Sequence, residues 1–163
     1  MPCKLINIEV MKKNLLIAIF SIFGLFIFGN STFAQKTVEP QVQRDPLLEA
    51  DALHNLDVAN QAYKLRKAYK AVLLRLEETV AANPGFSKMD EVLYLLGTSS
   101  YYLSEGKGKQ KIEAKTDEEK AKYAPEKLRA DAFAYLSQLI DQFPNSKFKG
   151  EAEKTLKEIK AKK

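Results

Sequence analysis

Apolar residues recur at steps of three and four along most of the chain after residue 44, a spacing that places them on one face of an α-helix. The pattern predicts a first helical segment from Pro46 to Ala82, which contains no internal glycine or proline. Asp45 is suited to cap it, and proline is tolerated at the first helical position. Two apolar stripes run within it: Leu48, Ala52, Leu56, Ala59 and Tyr63, then Ala68, Tyr69, Val72, Leu73, Leu76 and Val80. We expect a tight turn near residues 65–68 between the stripes; a single helix over 46–82 is the alternative.

The sequence Asn83-Pro84-Gly85 ends this segment, since proline cannot continue a helix and glycine accepts left-handed dihedral angles. Ser87 and Asp90 have the spacing of a capping box, which predicts a third helix from Lys88 to Ser104. Apolar residues surround most of its circumference, as is typical of a buried central helix. They are Val92, Leu93, Leu95, Leu96 and Leu103.

A charged segment, residues 105–124, interrupts the apolar pattern. We expect it to be an exposed insertion, because it holds too little apolar surface to offset the entropy lost on ordering. Thr116 begins a sequence suited to capping a short helix within it. Pro125 then opens a fourth helix that ends at Phe143, and a final helix follows. The apolar faces of these two helices hold Leu128, Ala132, Tyr135, Leu136, Leu139 and Phe143, and Phe148, Ala152, Leu156 and Ile159, respectively.

An internal repeat connects these segments, because residues 72–96 align with residues 132–156 at a constant offset. Pro84 falls on Pro144 and Leu96 falls on Leu156. The offset is one tetratricopeptide-type (TPR) repeat of ~34 residues plus ~26 residues that match the charged segment. The sequence therefore predicts an all-α fold, an antiparallel helix-hairpin (TPR-like) stack of about two and a half repeats with the insertion 105–124. An ordinary antiparallel helical bundle is the alternative.

The chain has the layout of a secretory signal peptide near its N-terminus. Lys12 and Lys13 precede an uncharged apolar run from Leu15 to Phe28, and small or polar residues follow up to Ala34. The run is shorter than the ~20 residues that a membrane-spanning helix needs. We therefore expect a signal peptide over residues 1–34 with cleavage after Ala34; an uncleaved anchor is the alternative.

The expected domain organisation follows from this signal. Met11 is the expected translation start, in which case residues 1–10 are not translated. A flexible leader over 35–44 then precedes the helical domain over 45–163. Residues 1–34 hold Lys4, Lys12, Lys13 and Glu9, so the net charge of +5 falls to +3 without them.

Composition argues against catalysis and metal binding. The chain has one histidine and one cysteine, too few for a zinc site or a Cys/His pair. His54 lies three residues from Asp51 and from Asp57, but no nucleophile or second metal ligand accompanies it. We expect no enzyme activity, no cofactor and no small-molecule substrate. No cysteine follows the apolar run, so we also expect no lipid anchor.

Lysine and glutamate alternate in the charged runs, which is typical of solvated helix faces. Nucleic-acid binding needs a stripe of one sign with interleaved aromatic residues, so no nucleic-acid partner is expected.

Two stretches, Pro84 to Gly97 and Tyr135 to Ser146, resemble the TPR-like repeats of the BamD (YfiO-like) outer-membrane assembly family. In that family a helix ends in a hydrophobic-Pro-Asn-Ser turn, and Leu-Gly follows about thirteen residues after the proline. The resemblance covers roughly residues 53–160. The chain departs from the family in lacking a cysteine suited to lipidation, in having fewer repeats and in carrying the charged insertion. The resemblance implies a scaffold in outer-membrane protein assembly.

Grooves in stacked helix hairpins bind peptides or partner helices. The third helix offers Tyr94, Tyr101 and Tyr102 as partner-binding residues, because tyrosine is favoured at interfaces; packing of these rings inside the fold is the alternative. We expect an exported, periplasmic interaction scaffold of a Gram-negative type envelope, held near the outer membrane through a protein or peptide partner. The alternatives are a non-catalytic structural bundle and a coordinator of envelope division or pilus assembly with similar repeats.

Overall fold

The computed structural model describes residues 44–110 and 113–162, which form six α-helices and no β-strand. The helices are α1 (Pro46–Gln61), α2 (Tyr69–Ala82), α3 (Met89–Ser104), α4 (Asp117–Lys122), α5 (Pro125–Gln142) and α6 (Lys149–Ala161). The predicted all-α, TPR-like class is confirmed. The predicted signal peptide, the start at Met11 and most of the leader lie outside the described residues.

The turn between α1 and α2 falls where the change of apolar stripe predicts it. Asp45 caps α1 by accepting a hydrogen bond from the Leu47 N–H at 2.8 Å. After α1 the chain makes one π-helical turn, Ala62–Arg66, and Lys67 then adopts a left-handed φ of 49°. The N–H of Ala68 donates to the Ala62 carbonyl at 3.0 Å and closes the turn. The alternative of one continuous helix over 46–82 is wrong.

The repeat is visible in the backbone hydrogen bonds of the two proline turns. α2 ends at Ala82 and α5 at Gln142, while α3 begins at Met89 and α6 at Lys149, so both boundaries keep the sequence offset. The same four bonds occur in each turn. In the first turn the N–H groups donate to carbonyls in the pairs Asn83 to Thr79, Phe86 to Asn83, Met89 to Phe86 and Val92 to Lys88. In the second turn the corresponding pairs are Phe143 to Leu139, Ser146 to Phe143, Lys149 to Ser146 and Ala152 to Phe148.

The predicted capping box at the start of α3 is wrong, because Lys88 occupies the N-cap and its side chain makes no capping bond. The groups assigned to the box connect neighbouring hairpins instead. The N–H of Ser87 donates to the Glu49 carboxylate at 3.2 Å, and the Asp90 carboxylate accepts from the Ser146 hydroxyl at 2.7 Å. The first turn is thereby joined to α1 and to the second turn.

Helix α3 lies at the centre of the fold, as its apolar circumference predicts. It packs most extensively on α5 and also on α2. Gly97 permits the close approach to α5, since a Cβ atom there would lie 2.5 Å from Cγ of Leu136. The fully buried side chains of the core come mainly from these three helices: Val72, Leu73, Leu76, Val92, Leu93, Leu96, Leu136 and Leu139.

The charged segment is mostly exposed but docks on α2. Thr116 caps α4 by accepting from the Glu119 N–H at 3.1 Å, which confirms the predicted short helix. Tyr123 is buried, which the expectation of an exposed insertion did not include. Lys122 forms a 2.6 Å ion pair with Glu77 of α2. One aromatic anchor and ion pairs at its rim therefore attach this segment, despite its low apolar content.

Candidate protein-binding surface

Helices α3 and α6 lie side by side and run in the same direction, and the end of α1 contacts α3. Three pairs of residues, each separated by the same 57 positions, join α3 and its C-cap to α6 and its C-cap. They are Tyr94 with Glu151, Tyr101 with Glu158, and Glu105 with Lys162. A constant separation along both helices indicates a parallel arrangement. On the other side, the Asn60 side chain of α1 donates to the Glu91 carboxylate of α3 at 2.9 Å.

A cluster of tyrosines joins the turn after α1 to α2 and α3. The ring of Tyr63 lies 5.5 Å from that of Tyr69 and 6.3 Å from that of Tyr102, and the rings of Tyr69 and Tyr102 are 5.1 Å apart. Tyr69 is buried, whereas Tyr63 and Tyr102 are partly exposed. Burial raises the pKa of Tyr63 and of Tyr69 above the ordinary value. The hydroxyls of Tyr63 and Tyr69 therefore stay protonated to a higher pH than that of a free tyrosine.

Tyr94 covers the junction of α3 and α6. Its ring stacks on Phe148 with 4.7 Å between centroids, and its hydroxyl donates to the Glu151 carboxylate. Burial, and then the hydrogen bond to Glu151, raise the pKa of Tyr94. The ring keeps a partly exposed edge beside an exposed carboxylate.

Tyr101 faces inward and is only 2% exposed. Its hydroxyl donates to Glu158 at 3.2 Å, and the ammonium groups of Lys107 and Lys162 lie 5.9 and 5.6 Å from its ring centroid. Of the three residues predicted for partner binding, Tyr94 and Tyr102 keep exposed surface in this structure, whereas Tyr101 packs within the fold. Partner binding by all three remains a prediction.

The structure adds Tyr63 to the candidate surface. Sequence reasoning placed this residue in the first apolar stripe, where nothing distinguished it from the other core residues. Its contact with Tyr102 depends on the turn after α1 lying beside α3, which the periodicity of the first stripe does not encode. We use the term tyrosine face for Tyr63, Tyr94 and Tyr102.

His54 is exposed on α1. The neighbouring Asp51 carboxylate accepts from Asn55 at 3.4 Å, and that of Asp57 accepts from Gln61 at 2.9 Å, so both have amide donors. Within residues 44–110 and 113–162, no group of three side chains suited to metal binding comes together. None of the helices described is long and apolar enough to cross a membrane.

Comparison with protein families matches residues 29–162 to the family YfiO, described as an outer membrane lipoprotein. Comparisons with curated proteins and with solved structures gave no match. The family is described as a lipoprotein family, and this description disagrees with the predicted absence of a lipid anchor. Cys3 is the only cysteine in the chain. The match includes all six helices and most of the chain, and it confirms the resemblance seen in the repeats. The chain therefore belongs to the YfiO family of outer membrane lipoproteins.

Proposed function

We propose that this protein is an exported, non-catalytic scaffold in outer-membrane protein assembly, and that it binds another envelope protein through the tyrosine face. Family membership supports the assembly role. The specific binding surface is our inference from the geometry. The observation that carries it is the set of partly exposed rings of Tyr63, in the turn after α1, and of Tyr94 and Tyr102 on α3.

Such a surface suits protein recognition for energetic reasons. A tyrosine ring offers a large apolar area with a polar end, and its few rotatable bonds limit the entropy lost on binding. The rings are also held in place before a partner arrives, since Tyr102 packs against Tyr63 and Tyr69, and Tyr94 stacks on Phe148. Preorganised aromatic residues of this kind often dominate the free energy of association.

Photo-crosslinking in living cells tests this proposal. A photoreactive amino acid at Tyr102 or Tyr94 is expected to trap a partner protein, and the same group at Gln138, exposed on α5, serves as the matched control. A trapped species at Tyr102 and Tyr94 but not at Gln138 is the expected result. Equal labelling at all three positions, or none above background, would contradict the proposal.

We further propose that cleavage after Ala34 releases the chain into the periplasm and that a protein partner, not a lipid, keeps it near the outer membrane. The basis is the signal-like sequence of residues 11–34 and the position of Cys3 as the only cysteine. Mass spectrometry of the N-terminus and metabolic labelling with a fatty acid test both points. A chain that begins near Gln35 and carries no label is expected. An intact Met11 or an incorporated lipid would overturn the corresponding statement.

A further inference from the structure

A second surface lies between α5 and α6. There the two helices line an open cavity of about 500 Å³. Phe133, which is 40% exposed, forms its floor together with Ala130 and Ile159. Cavities of this size are large enough to take the side chains of a bound segment. We call this cavity the α5–α6 groove.

The rim of the groove is positively charged. Arg129, Lys160 and Lys162 line it, with Glu126 as the one carboxylate among the lining residues described. Arg129 lies 3.8 Å from Glu126 and 3.9 Å from Glu105, and Lys162 also pairs with Glu105. The ammonium of Lys160 lies 5.5 Å from the Phe133 ring centroid, and among the described residues it forms no ion pair. Three cations thus share two carboxylates beside an apolar floor.

The charge at the other end of the helix stack bears on what occupies this groove. A smaller cavity between α1 and α2 is lined by Val58, Ala62 and Ala71, and its charged lining residues are Arg66 and Arg75. A second copy stacked end to end would bring these arginines toward Arg129, Lys160 and Lys162. Like charges brought together oppose association, so the charges disfavour a second copy and favour an acidic partner.

We propose that the α5–α6 groove binds an acidic amphipathic helix of a partner protein. Apolar side chains of that helix would contact Phe133 and Ile159, and its carboxylates would pair with Lys160 and Arg129. Grooves between helices commonly accept the apolar face of a further helix. Apolar contact with Phe133 and charge complementarity at the rim give the groove its preference for an acidic sequence.

Amide NMR titration of the purified, exported protein tests this inference. The probes are a short amphipathic helical peptide of leucine and glutamate and its counterpart of leucine and lysine. The acidic peptide is expected to shift the signals of Ala130, Phe133 and Ile159 and to bind at least about tenfold more tightly than the basic one. Added salt should lower the affinity for the acidic peptide, because it screens the charges.

Two variants and one control locate the binding. Phe133→Ala and Lys160→Glu are each expected to lower the affinity for the acidic peptide about tenfold or more. Leu74→Ala, at an exposed leucine of α2, should leave its affinity unchanged. Circular dichroism establishes that each variant is folded.

Three outcomes would overturn the inference. These are equal affinity for both peptides, shifts confined to the tyrosine face, and shifts at both ends of the stack that depend on protein concentration without peptide. The last would identify a second copy as the occupant. The result of photo-crosslinking at Tyr102 does not depend on any of these three outcomes. A failure of the groove inference is therefore distinguishable from a failure of the proposed function.

Discussion

Gly97 of α3 lies directly against Leu136 of α5, so that a Cβ atom at position 97 would be 2.5 Å from Leu136 Cγ and 2.6 Å from its Cδ2. This contact lies within the most extensive helix pair of the fold. Both residues belong to the repeat hairpins, and the absence of a side chain at 97 sets how closely the helices approach. The spacing of α3 and α5 therefore depends on one glycine.

Gly97→Ala should destabilise the protein. Alanine gains about 1 kcal/mol in helix propensity over glycine, but overpacking a core costs about 1–3 kcal/mol, so the contact with Leu136 outweighs the gain. Urea unfolding measures the change in free energy. Gly150→Ala in α6 is the matched control, because no atom lies within 4 Å of a Cβ placed there, and it should leave stability unchanged or slightly raised. Stabilisation by Gly97→Ala would refute the close contact.

Ser99→Ala should leave stability unchanged or raise it by about 1 kcal/mol. The Ser99 hydroxyl is buried and has no hydrogen-bond partner among the described residues, so the substitution removes an unsatisfied polar group. Ser104→Ala is the same change at a buried serine whose hydroxyl donates to the Tyr101 carbonyl at 2.7 Å, and it should cost about 1 kcal/mol. Thermal unfolding of both variants checks the prediction. Equal losses at the two sites would indicate that Ser99 has a partner after all.

Lys67→Gly should stabilise the turn between α1 and α2. Lys67 has a left-handed φ of 49°, a conformation that costs an ordinary residue about 1 kcal/mol relative to glycine. Gly106→Ala makes the opposite change at a φ of 66° with no neighbouring atom within 4 Å, and it should destabilise by a similar amount. Free energies of unfolding measured for the pair should differ in sign. A loss of stability in Lys67→Gly would show that the lysine side chain contributes more than the backbone conformation costs.

Stability should fall at alkaline pH because of three tyrosines that are partly or wholly buried. Burial raises the pKa of Tyr63, Tyr94 and Tyr101 in the folded state, while the unfolded chain keeps a pKa of ~10. The unfolded state therefore loses its protons first, and the stabilisation, complete below pH ~10, is lost as pH rises further. Urea unfolding across this range should show a smaller fall for Tyr94→Phe than for the unaltered protein. Identical slopes for both would contradict a raised pKa at Tyr94.

Much of the helical architecture could be predicted from local features. The proline turns at Pro84 and Pro144, the change of stripe before Tyr69 and the cap at Thr116 each act through a few neighbouring residues. The structure confirms these boundaries closely. The capping box at Ser87 failed for the opposite reason. Its groups bond to Glu49 and Ser146, residues far away in sequence that no local pattern connects to it.

The candidate site was only partly predictable. The sequence alone places Tyr94, Tyr101 and Tyr102 on one helix, but it does not determine which of them faces solvent. Exposure depends on the flanking segments: α6 covers Tyr101, and the turn after α1 brings Tyr63 to Tyr102. The same limit applies to Leu48, which lies on the predicted apolar stripe yet is 43% exposed. Periodicity defines the apolar face of a helix, but it does not show whether a neighbouring helix covers that face along its full length.

The sequence by itself determined the helices, their breaks, the repeat and the family, because periodicity, proline and glycine act on the chain locally. The tertiary structure alone decided how closely α3 approaches α5 at Gly97, which tyrosines form a surface, and that Tyr123 anchors the charged segment. Each of these depends on side chains from distant parts of the chain meeting at a specific distance. A repeat pattern specifies that helices stack, whereas the volumes and charges at the contacts decide what surface the stack presents.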